Sequence, residues 1–428
     1  MGGYFFDCMR ELLGDRYDEF SDAYKNKPRH KALRVNTNKI SVDEFKKLFD
    51  GELKPNPLCH NSFYCGVKPS LDPLYHAGLY YMQEPSASAA VAAFSPFIGE
   101  RVLDLCAAPG GKSTQAAEYM RGGVLFSNDS EYKRVRVLAE NIERMGVRNA
   151  VVTCGTAGDY VNAGFTEYFD TVIVDAPCSG GGMMRYEDVP YSENIVKGCA
   201  LRQRAILDDA VKLLCCGGYM LYSTCTFAKE ENEDNVNFLL SLGMRTVDIP
   251  LLPGTERGID VPDARRIYPI DFDGEGHFYC ILQKTDGGKT DLPRLRKKAK
   301  TVSFGGLNIA AAEIANKRII LDADDFVLPE LSGLNVIAAG VSLFDDRDPS
   351  HALTHALDGK SVQRFGAVEL SDFARDYIAG KQIDLSAPGG NLIATVSGYA
   401  LGLVKSSAGG DGTKVLKNKY PKRLRITY

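Results

Sequence analysis

The chain has 428 residues, a length that predicts about three folding units, each large enough to bury its own core. Hydrophobic residues make up 44% and charged residues 25%, which is typical of soluble globular proteins and excludes disordered, collagen-like and membrane-embedded classes. With 51 Lys and Arg against 55 Asp and Glu, the net charge of −4 does not favour a nucleic-acid partner, but it leaves room for local basic patches.

The cysteines and the N-terminus indicate a reducing compartment. Eleven cysteines include no Cys-x-x-Cys pair, which argues against a zinc ribbon, and their odd number argues against a complete disulfide framework. The start, MGGYFFDCMRELLGD, lacks the basic and apolar regions of a signal peptide, and Phe6 stands where a myristoylation signal has Ser or Thr. No apolar stretch approaches transmembrane length. We therefore expect a monomeric cytoplasmic protein that binds neither a membrane nor a metal.

Residues 1–95 are predicted to form a small α+β lobe. They combine helical periodicity with a segment from Arg34 that looks extended, followed by a Pro-rich loop. The lobe also carries a basic stretch that consists of Lys25, Lys27, Arg29, His30, Lys31 and Arg34. This stretch is the lobe's candidate contact for a polyanion.

Residues 96–286 alternate short β-rich apolar runs with longer helical ones. Strands are predicted at RVLDLCAA, VLFSND, AVVTC, FDTVIVDAP, YMLYSTCT and HFYCILQK, and helices near Lys112, Glu131 and Leu201. This alternation is typical of βαβ units and predicts a doubly wound, Rossmann-like α/β core with a mostly parallel sheet.

Residues 287–428 are predicted to form a β-rich C-terminal domain preceded by a linker. The composition changes at KTDGGKTDLPRLRKKAK, a Gly-rich and then basic segment that we interpret as the linker. Beyond it are Gly-punctuated short strands such as NLIATVSGYALGLVK, and the chain ends in the basic segment KNKYPKRLRITY.

Residues 106–113, which follow the first predicted strand of the core, form a turn of small residues that opens a helix. Backbone N–H groups at a helix N-terminus bind anions, so this turn is a candidate ligand loop. It lacks the G-x-G-x-x-G of dinucleotide sites, and Cys106 occupies the first glycine position of a Walker A motif, which excludes both phosphate sites. A smaller anion, such as the carboxylate of an amino acid, fits better.

Asp129 stands at the end of the second predicted strand, where doubly wound folds place an acid that binds ribose hydroxyls. A ligand with an amino-acid end and a nucleoside end is S-adenosylmethionine, which we therefore predict as the cofactor. The alternative is that Asp129 only caps the helix that begins at Glu131.

Two cysteines and a carboxylate follow neighbouring predicted strands. Asp175 and Cys178 follow the fourth strand and Cys225 follows the fifth, so all three should meet at the carboxyl edge of the sheet, beside the predicted cofactor. The other cysteines outside the loop are expected to be small buried hydrophobes: Cys8, Cys59, Cys65, Cys154, Cys199, Cys215, Cys216 and Cys280.

A methyl donor beside two thiols suggests chemistry on cytosine. Carbon-5 of cytosine is a poor nucleophile, but a thiolate that adds at carbon-6 makes carbon-5 reactive. A carboxyl group hydrogen-bonded to N3 and to the exocyclic amine recognises the base and stabilises the shift of charge, and Asp175 is placed for this role. The second cysteine can help to remove the carbon-5 proton and release the thiol. The spacing does not assign the two roles.

The chain resembles the Sun/Nop-type RNA (cytosine-5)-methyltransferases at VLDLCAAPGGKSTQ, VDAPCSG, YSTCTFAKEENE, GEGHF, LRVNT and YMQEPSAS. The resemblance implies that Cys225 attacks the base, that Cys178 assists release, and that Asp175 recognises the base and lies near the cofactor. It implies further cofactor contacts from Cys106, Ala107, Ala108, Pro109, Gly110, Gly111, Lys112, Asp129 and Arg134.

LPEL, PSHALTHAL, GYALGLVK and KNKYPKRLR resemble the C-terminal extension of the bacterial branch, which modifies small-subunit ribosomal RNA and ends in a PUA-like RNA-binding module. The resemblance implies RNA as the partner, with 16S ribosomal RNA, free or in a ribosomal subunit, as the substrate. Two alternatives stay open: a transfer-RNA cytosine-5 methyltransferase and a non-catalytic, RNA-binding ribosome-assembly factor. The presence of both cysteines and Asp175 disfavours the assembly factor.

Two positions depart from the family pattern. Relatives carry an acid after the third strand to hold the adenine, whereas this chain reads Val-Thr-Cys-Gly-Thr-Ala up to Ala157, so the adenine contact is expected to fall to backbone. Relatives commonly follow the PCSG motif with a glutamate, but here Gly181 stands instead and leaves that helper role unfilled.

Two further groups of residues suggest sites. His351 and His355 lie four residues apart, but the glutamate of a zincin motif is missing, so surface or capping histidines are expected. The tail combines basic residues with interleaved aromatic ones, and beside a methyltransferase we expect it to contact RNA. Its members are Lys417, Lys419, Tyr420, Lys422, Arg423, Arg425 and Tyr428.

Overall fold

The computed structural model describes residues 3–185, 190–293, 300–304, 307–314, 318–321, 328–345, 348–408 and 414–426. The N-terminal lobe contains α1 (Gly3–Leu13), α2 (Tyr17–Asn26), β1 (Ala32–Val35), α3 (Val42–Leu48), β2 (Lys54–Pro55), β3 (Ser62–Tyr64), α4 (Pro73–His76), β4 (Tyr80–Met82) and α5 (Pro85–Phe94). Its strands form an antiparallel sheet in the order β2-β3-β1-β4. Ser41 and Glu44 form a reciprocal capping box that starts α3.

The central domain alternates strands and helices as the sequence predicts. Its elements are β5 (Arg101–Asp104), α6 (Gly111–Tyr119), β6 (Val124–Asp129), α7 (Tyr132–Met145), β7 (Ala150–Cys154), α8 (Ala157–Asn162), β8 (Phe169–Asp175), α9 (Glu193–Leu213), β9 (Leu214–Thr224), α10 (Glu233–Ser241), β10 (Met244–Thr246), β11 (Glu256–Arg257), β12 (Arg265–Ile267) and β13 (His277–Lys284). The helix predicted near Leu201 begins earlier, at Glu193, because the Ser192 hydroxyl accepts the Ile195 N–H and caps it there.

The sheet order is β11-β12-β13-β9-β8-β5-β6-β7, with β5 to β9 parallel and β13 antiparallel to β9. Leu103 and Val172 face one apolar cluster, whereas Val102 and Ile173 face another, as the two-residue period of a strand requires. Because helices cover both faces, the inner strands are buried along almost their whole length. The strand order reverses between β5 and β8, which opens a crevice at their carboxyl ends.

The C-terminal region contains β14 (Lys300–Phe304), β15 (Leu307–Ile314), β16 (Arg318–Leu321), β17 (Val336–Ala339), β18 (Phe344–Asp345), β19 (Asp348–Pro349), α11 (His351–Ala356), α12 (Gly359–Phe365), β20 (Ala367–Glu369), α13 (Ala374–Ile378), β21 (Gly390–Val396), β22 (Tyr399–Ala408) and β23 (Lys414–Asn418). Strands β20-β21-β22-β23 form one sheet and β14-β15-β16 another. Strand β17 pairs antiparallel with β7 and so extends the central sheet. No helix in the described ranges combines the length and apolarity needed to cross a membrane.

The first part of the predicted linker packs on the central domain instead of bridging it loosely. The Thr290 N–H donates to the Glu167 carbonyl at 2.8 Å, and the Cys216 N–H donates to the Gly288 carbonyl at 2.8 Å. The linker prediction is therefore wrong for this part, while residues 294–299 lie outside the described residues.

All eleven cysteines are free thiols. Of those expected to be buried hydrophobes, Cys59, Cys199, Cys215 and Cys280 are buried, and Cys8, Cys65 and Cys154 are partly exposed. Cys216 is exposed, so the prediction is wrong for that residue, whose Sγ lies on the surface near the Thr285 carbonyl.

The prediction that His351 and His355 are surface or capping residues is wrong. His355 is buried, and its Nε2 lies 3.1 Å from the Nε2 of His351, in the contact between α11 and α7. Burial lowers the pKa of His351 to about 3 and the pKa of His355 well below its usual range, so both rings are neutral at pH 7. Within the described ranges, no group of three or more His, Cys, Asp or Glu is arranged to hold a metal ion.

The C-terminal tail docks on the other two domains. Tyr420 is only 3% exposed, and its hydroxyl lies 2.9 Å from Nδ1 of His76 in the N-terminal lobe. Arg423 forms ion pairs with Glu140 and Glu143 of α7 at 2.9 and 3.6 Å. The predicted RNA contact is therefore wrong for Tyr420, because its ring is enclosed by protein.

The other tail residues differ in whether their side chains are exposed and could contact RNA. Lys419 pairs with Asp348 at 2.8 Å, and Arg425 donates to the Tyr420 carbonyl. The side chains of Lys417 and Lys422 are exposed. Tyr428 lies outside the described residues. RNA contact by the tail stays a prediction for its exposed lysines.

Tyr420→Ala should lower the free energy of unfolding by about 3 kcal/mol, because it removes a buried aromatic ring between domains. Lys422→Ala, two residues further along the chain but exposed, should leave stability almost unchanged. Urea unfolding of both variants beside the parent protein tests this. Equal stability of the two variants would contradict the docked tail.

Candidate active site

A cavity of about 660 Å³ opens at the carboxyl edge of the central sheet. Loops after β5, β6, β7, β8 and β9 line it, together with one face of α9. The predicted site residues in its wall are Cys106, Ala108, Asp129, Arg134, Asp175, Cys178 and Cys225. The remaining ones, which form the loop and helix start behind that wall, are Ala107, Pro109, Gly110, Gly111 and Lys112. The structure therefore brings the predicted residues together around one space.

The loop at residues 106–112 is held closely by α7. Gly110 has φ of +113°, a conformation that favours glycine, and a Cβ there would also lie close to Cδ1 of Leu138, at 3.2 Å. Arg134 donates from Nη2 to the Ala108 carbonyl at 2.8 Å, and Asn141 donates to the Pro109 carbonyl at 2.9 Å. These bonds fix the loop at the N-terminus of α6, where backbone N–H groups favour an anion.

Asp129 lies in the cavity wall at the end of β6 and is 2% exposed. Its Oδ1 accepts the Glu131 N–H at 3.1 Å, which is the capping role considered as the alternative. Its Oδ2 has no hydrogen-bond partner in the described structure, although Arg134 Nη1 lies 3.3 Å away. Since this oxygen is ion-paired with Arg134 but accepts no hydrogen bond, it can still accept one from a ligand hydroxyl group.

Asp175 connects the loop at residues 106–112, referred to below as the cofactor loop, to the loop after β8. Its Oδ2 lies 2.8 Å from Nζ of buried Lys112, and its Oδ1 accepts the Ser223 hydroxyl at 2.8 Å. Burial opposes ionisation of Asp175, but the positive charge of Lys112 and these hydrogen bonds outweigh it and hold the pKa of Asp175 below its usual range. Asp175 is therefore a carboxylate at pH 7.

The two predicted thiols are in contact. Sγ of Cys178 lies 3.1 Å from Sγ of Cys225, and both side chains are partly exposed to the cavity. The hydrogen bond to Cys225, followed by burial, raises the pKa of Cys178 well above its usual range. Cys178 thus holds its proton while it contacts Cys225.

Glu231 anchors the segment that carries Cys178, a role that sequence reasoning missed. It is fully buried, and its Oε2 accepts the Ser179 N–H at 3.0 Å and the Gln203 amide at 2.8 Å. These bonds fix the residue that follows Cys178. Burial raises the pKa of Glu231. Its position inside YSTCTFAKEENE was visible, but nothing in the sequence showed that this glutamate is buried.

Asp104 is a second residue that sequence reasoning missed. It ends β5, is fully buried, and its Oδ2 accepts the Ser113 hydroxyl at 2.7 Å while its Oδ1 has no hydrogen-bond partner in the described structure. Burial raises the pKa of Asp104 to about 7, although the Ser113 bond acts in the opposite direction. A charged residue within the apolar run RVLDL was the available signal.

Gly155, Thr156 and Ala157 line the part of the cavity that follows β7, where relatives carry the adenine-holding acid. The Thr156 N–H and hydroxyl both donate to Asp159, at 2.7 and 2.8 Å, and so are occupied within the helix cap. A backbone contact to the adenine therefore stays a prediction, and it would have to come from Gly155 or Ala157 and not from the N–H of Thr156.

Gly181 occupies the position where relatives carry a glutamate, and the N-terminal lobe closes over it. The Tyr24 hydroxyl donates to the Gly181 carbonyl at 2.6 Å, and a Cβ on Gly181 would lie 3.1 Å from the ring of Phe5. The space for a longer side chain is filled by α1 and α2 of the lobe. No side chain at position 181 therefore takes the helper role that the glutamate has in relatives.

Arg202 is the remaining cation in the cavity wall, and sequence reasoning missed it as well. It lies on α9 opposite Arg134 and its side chain is exposed. No hydrogen bond or ion pair of its guanidinium is found within the described ranges, whereas Arg134 is engaged by Ala108 and Asp129. Arg202 is therefore available to an anionic group that enters the cavity beside the thiols.

Three family models match successive parts of the chain. Residues 3–85 match the N-terminal domain of 16S rRNA methyltransferase RsmF, residues 91–283 match 16S rRNA methyltransferase RsmB/F, and residues 366–426 match the methyltransferase RsmF PUA domain. The ribosomal RNA small subunit methyltransferase F of Shewanella piezotolerans is 31% identical over 97% of this chain and 94% of its own length.

Solved structures with similar folds support the same architecture. A methyltransferase homolog protein from Pyrococcus horikoshii superposes with a TM-score of 0.58 and 29% identity, covering 65% of this chain and 93% of that chain. NSun6 from Pyrococcus horikoshii superposes with a TM-score of 0.59 over 67% of this chain and 99% of that chain, and its 22% identity shows the fold alone. The predicted doubly wound core is confirmed, as is the C-terminal PUA domain.

Asp104→Asn should stabilise the ligand-free protein at pH 8 but not at pH 4.5. An unfolded aspartate has a pKa near 3.9, whereas burial raises the pKa of folded Asp104 to about 7, so between these values the folded state binds more protons and parent stability falls as pH rises. Asparagine cannot ionise, so the variant should gain about 2 to 4 kcal/mol over the parent by pH 8.

Urea unfolding at pH 4.5 and pH 8 measures this difference, with exposed Asp50→Asn as the control that should show no such pH dependence. If Asp104→Asn changed stability equally at both pH values, Asp104 would not be a buried, proton-holding carboxyl group.

Proposed function

Since the chain belongs to the RsmB/F family of 16S rRNA methyltransferases, it is an S-adenosylmethionine-dependent RNA (cytosine-5)-methyltransferase, and we propose which of its residues perform each step. The resemblance to the Sun/Nop-type enzymes is confirmed. The observation that carries the assignment of residues is the pair of touching thiols, Cys178 and Cys225, at 3.1 Å beside the carboxylate of Asp175.

The cavity fits the cofactor. Its volume of about 660 Å³ suits a nucleoside joined to an amino acid, and the loop carrying Gly110 suits the carboxylate. Oδ2 of Asp129, which accepts no hydrogen bond, suits a ribose hydroxyl. S-adenosylmethionine, when bound, supplies the methyl group that carbon-5 of the cytosine receives.

Cys225 is assigned as the nucleophile. Its Sγ forms a bond to carbon-6 of the target cytosine, the electron pair of the carbon-5–carbon-6 double bond moves into the ring, and the thiol proton passes to N3. The bond makes carbon-5 nucleophilic. Support for this role comes from the resemblance and from the position of Cys225 in the cavity wall, where its Sγ contacts Cys178.

Asp175 is assigned to base recognition. As a carboxylate it accepts a hydrogen bond from the exocyclic amine of cytosine, and it shares the proton that N3 gains during attack. Lys112, 2.8 Å away, keeps Asp175 charged before the base arrives. Uracil lacks the amine and would place a carbonyl oxygen against a carboxylate, so the same contact selects cytosine.

Cys178 is assigned to release. Its pKa is raised mainly by the hydrogen bond to Cys225, and this cause disappears once Cys225 is bonded to the base. Cys178 then gives its proton to solvent, and its thiolate removes the proton from carbon-5. The electron pair left behind restores the ring double bond and expels Cys225 as a thiolate, which regains a proton from N3.

The substrate is 16S ribosomal RNA, as it is in the names of the matching families. We further propose that the methyl acceptor is free RNA or a ribosomal subunit, and that the protein is monomeric and cytoplasmic. We keep residues 1–95, 96–286 and 287–428 as the proposed N-terminal lobe, methyltransferase core and C-terminal region. No feature of the site favours transfer RNA, and the intact pair of thiols argues against a non-catalytic assembly factor.

Cys225→Ala should abolish methylation while leaving cofactor affinity nearly unchanged, because the thiol acts on the base. Cys178→Ala should still allow attack and methyl transfer but slow release, so the protein should accumulate covalently joined to RNA. A denaturing gel with labelled RNA detects the adduct as a shifted, nuclease-sensitive band, and calorimetry measures cofactor binding. A band with Cys225→Ala and none with Cys178→Ala would exchange the two roles.

Arg202→Ala should weaken RNA binding by about tenfold and flatten its salt dependence by a slope of about 0.7 to 0.9, because one phosphate contact is lost. Lys197→Ala, on the exposed side of the same helix and paired with Glu193, is the matched control and should change neither. Filter binding over a range of KCl concentrations measures both quantities. Weakened cofactor binding with unchanged RNA affinity would assign Arg202 to the cofactor instead.

A further inference from the structure

Arg34 was expected in an exposed basic stretch of the N-terminal lobe, but it is fully buried. It lies on β1, between β3 and β4 of the lobe sheet, and its guanidinium crosses from the lobe to α6 of the methyltransferase core. The prediction that Arg34 belongs to a surface patch is therefore wrong, and its charge must serve a purpose inside the protein.

Each nitrogen of the Arg34 guanidinium has an acceptor. Nη1 forms an ion pair with buried Glu118 at the end of α6, and Nε donates to Gln83 Oε1 at 2.8 Å. Nη2 donates to the Thr114 hydroxyl at 2.8 Å and approaches the Gly111 carbonyl at 3.3 Å. Burial lowers the pKa of Arg34 to about 10, which still leaves it charged at pH 7.

These acceptors lie along the helix that begins at the cofactor loop. Gly111 is the first residue of α6, and Thr114 donates in turn to the Gly110 carbonyl at 2.7 Å. Lys112, between them, carries the ammonium that meets Asp175 at 2.8 Å. Arg34 therefore contacts both the loop that faces the cofactor and the helical turn that orients the catalytic carboxylate.

The lobe holds the same helix through neighbouring polar contacts. Glu118 also accepts hydrogen bonds from Asn61 at 2.8 Å and Thr37 at 3.2 Å. From the opposite side, α7 holds the loop through Arg134 and Asn141. The cofactor loop is thus fixed between α7 and the N-terminal lobe, and Arg34 reaches it from the lobe with a hydrogen bond to the Gly111 carbonyl.

A buried Arg–Glu pair is a weak source of stability, since removing two charges from water costs about as much as their attraction returns. Its forked geometry, in contrast, sets the positions of several acceptors at once. We propose that Arg34 is a positioning residue for the cofactor: it holds residues 110–114 in the conformation that binds S-adenosylmethionine. This inference rests on the proposed cofactor site, and it makes cofactor affinity depend on a residue of another domain.

The test compares Arg34→Lys and Arg34→Met with the parent protein and with Arg265→Met. Lysine keeps the charge opposite Glu118 but cannot reach Gln83 and Thr114 together, so it protects the fold while releasing the loop. Arg265 is an equally buried arginine on β12, bonded to Asp248 and to the backbone, and it controls for the loss of a buried guanidinium. Calorimetry with S-adenosylmethionine, without RNA, measures affinity, and thermal unfolding measures stability.

Arg34→Lys should remain folded and bind S-adenosylmethionine at least about tenfold more weakly than the parent. In turnover assays its KM for the cofactor should rise, while the KM for RNA stays within about twofold. Arg34→Met should show the same loss of affinity together with a lower melting temperature. Arg265→Met should lose stability but keep the parent's cofactor affinity.

Unchanged cofactor affinity in folded Arg34→Lys would overturn the proposal while leaving the assigned function intact. An equal loss of affinity in Arg265→Met would also overturn it, because general destabilisation would then explain the effect. If the parent itself failed to bind S-adenosylmethionine, the proposed cofactor site would be wrong and this inference would fail with it.

Discussion

The ion pair between Lys112 and Asp175 joins the two halves of the active site. Lys112 belongs to the first turn of the helix after the cofactor loop, and Asp175 ends the strand that leads to the first thiol. Strand β5, which precedes the loop and Lys112, is the neighbour of β8, which carries Asp175. The sheet order reverses between them, so their carboxyl ends face one crevice. A single contact of 2.8 Å therefore joins the loop proposed to hold the cofactor to the carboxylate proposed to recognise the base.

The second constraint is that the catalytic loops have little freedom of their own. Glu231 fixes the residue after Cys178, and Tyr24 of the lobe fixes Gly181, two residues further on. Arg34 and Arg134 hold the cofactor loop from opposite sides. The N-terminal lobe therefore contacts both the loop after β8 and the loop at residues 106–112.

Sequence reasoning located most of the site because local signals encode it. The turn at residues 106–113 follows a strand and opens a helix, and Asp175, Cys178 and Cys225 follow strands that end at one edge of the sheet. The residues that it missed act through non-local burial. Asp104 and Glu231 are polar groups whose burial depends on neighbouring elements, and Arg202 lines the cavity because of how α9 packs beside the sheet.

The C-terminal docking shows the same limit. Nothing near Tyr420 or His355 in the sequence indicates that they meet the lobe and α7, since their partners lie hundreds of residues away. A basic, aromatic tail and a helical pair of histidines are normally surface features, and here the packing of domains overrides that expectation. Arg34 follows the same rule, because a basic stretch does not reveal which of its members faces inward.

The central claim is that Cys225, and not Cys178, forms the bond to the base. Incubating the protein with S-adenosylmethionine and 16S ribosomal RNA containing 5-fluorocytidine tests it directly, because fluorine at carbon-5 cannot leave as a proton and the adduct persists. Digestion followed by mass spectrometry identifies the modified peptide. The account predicts that the nucleotide is attached to Cys225 and to no other cysteine. Attachment to Cys178, or the absence of an adduct in protein that binds the cofactor, would contradict it.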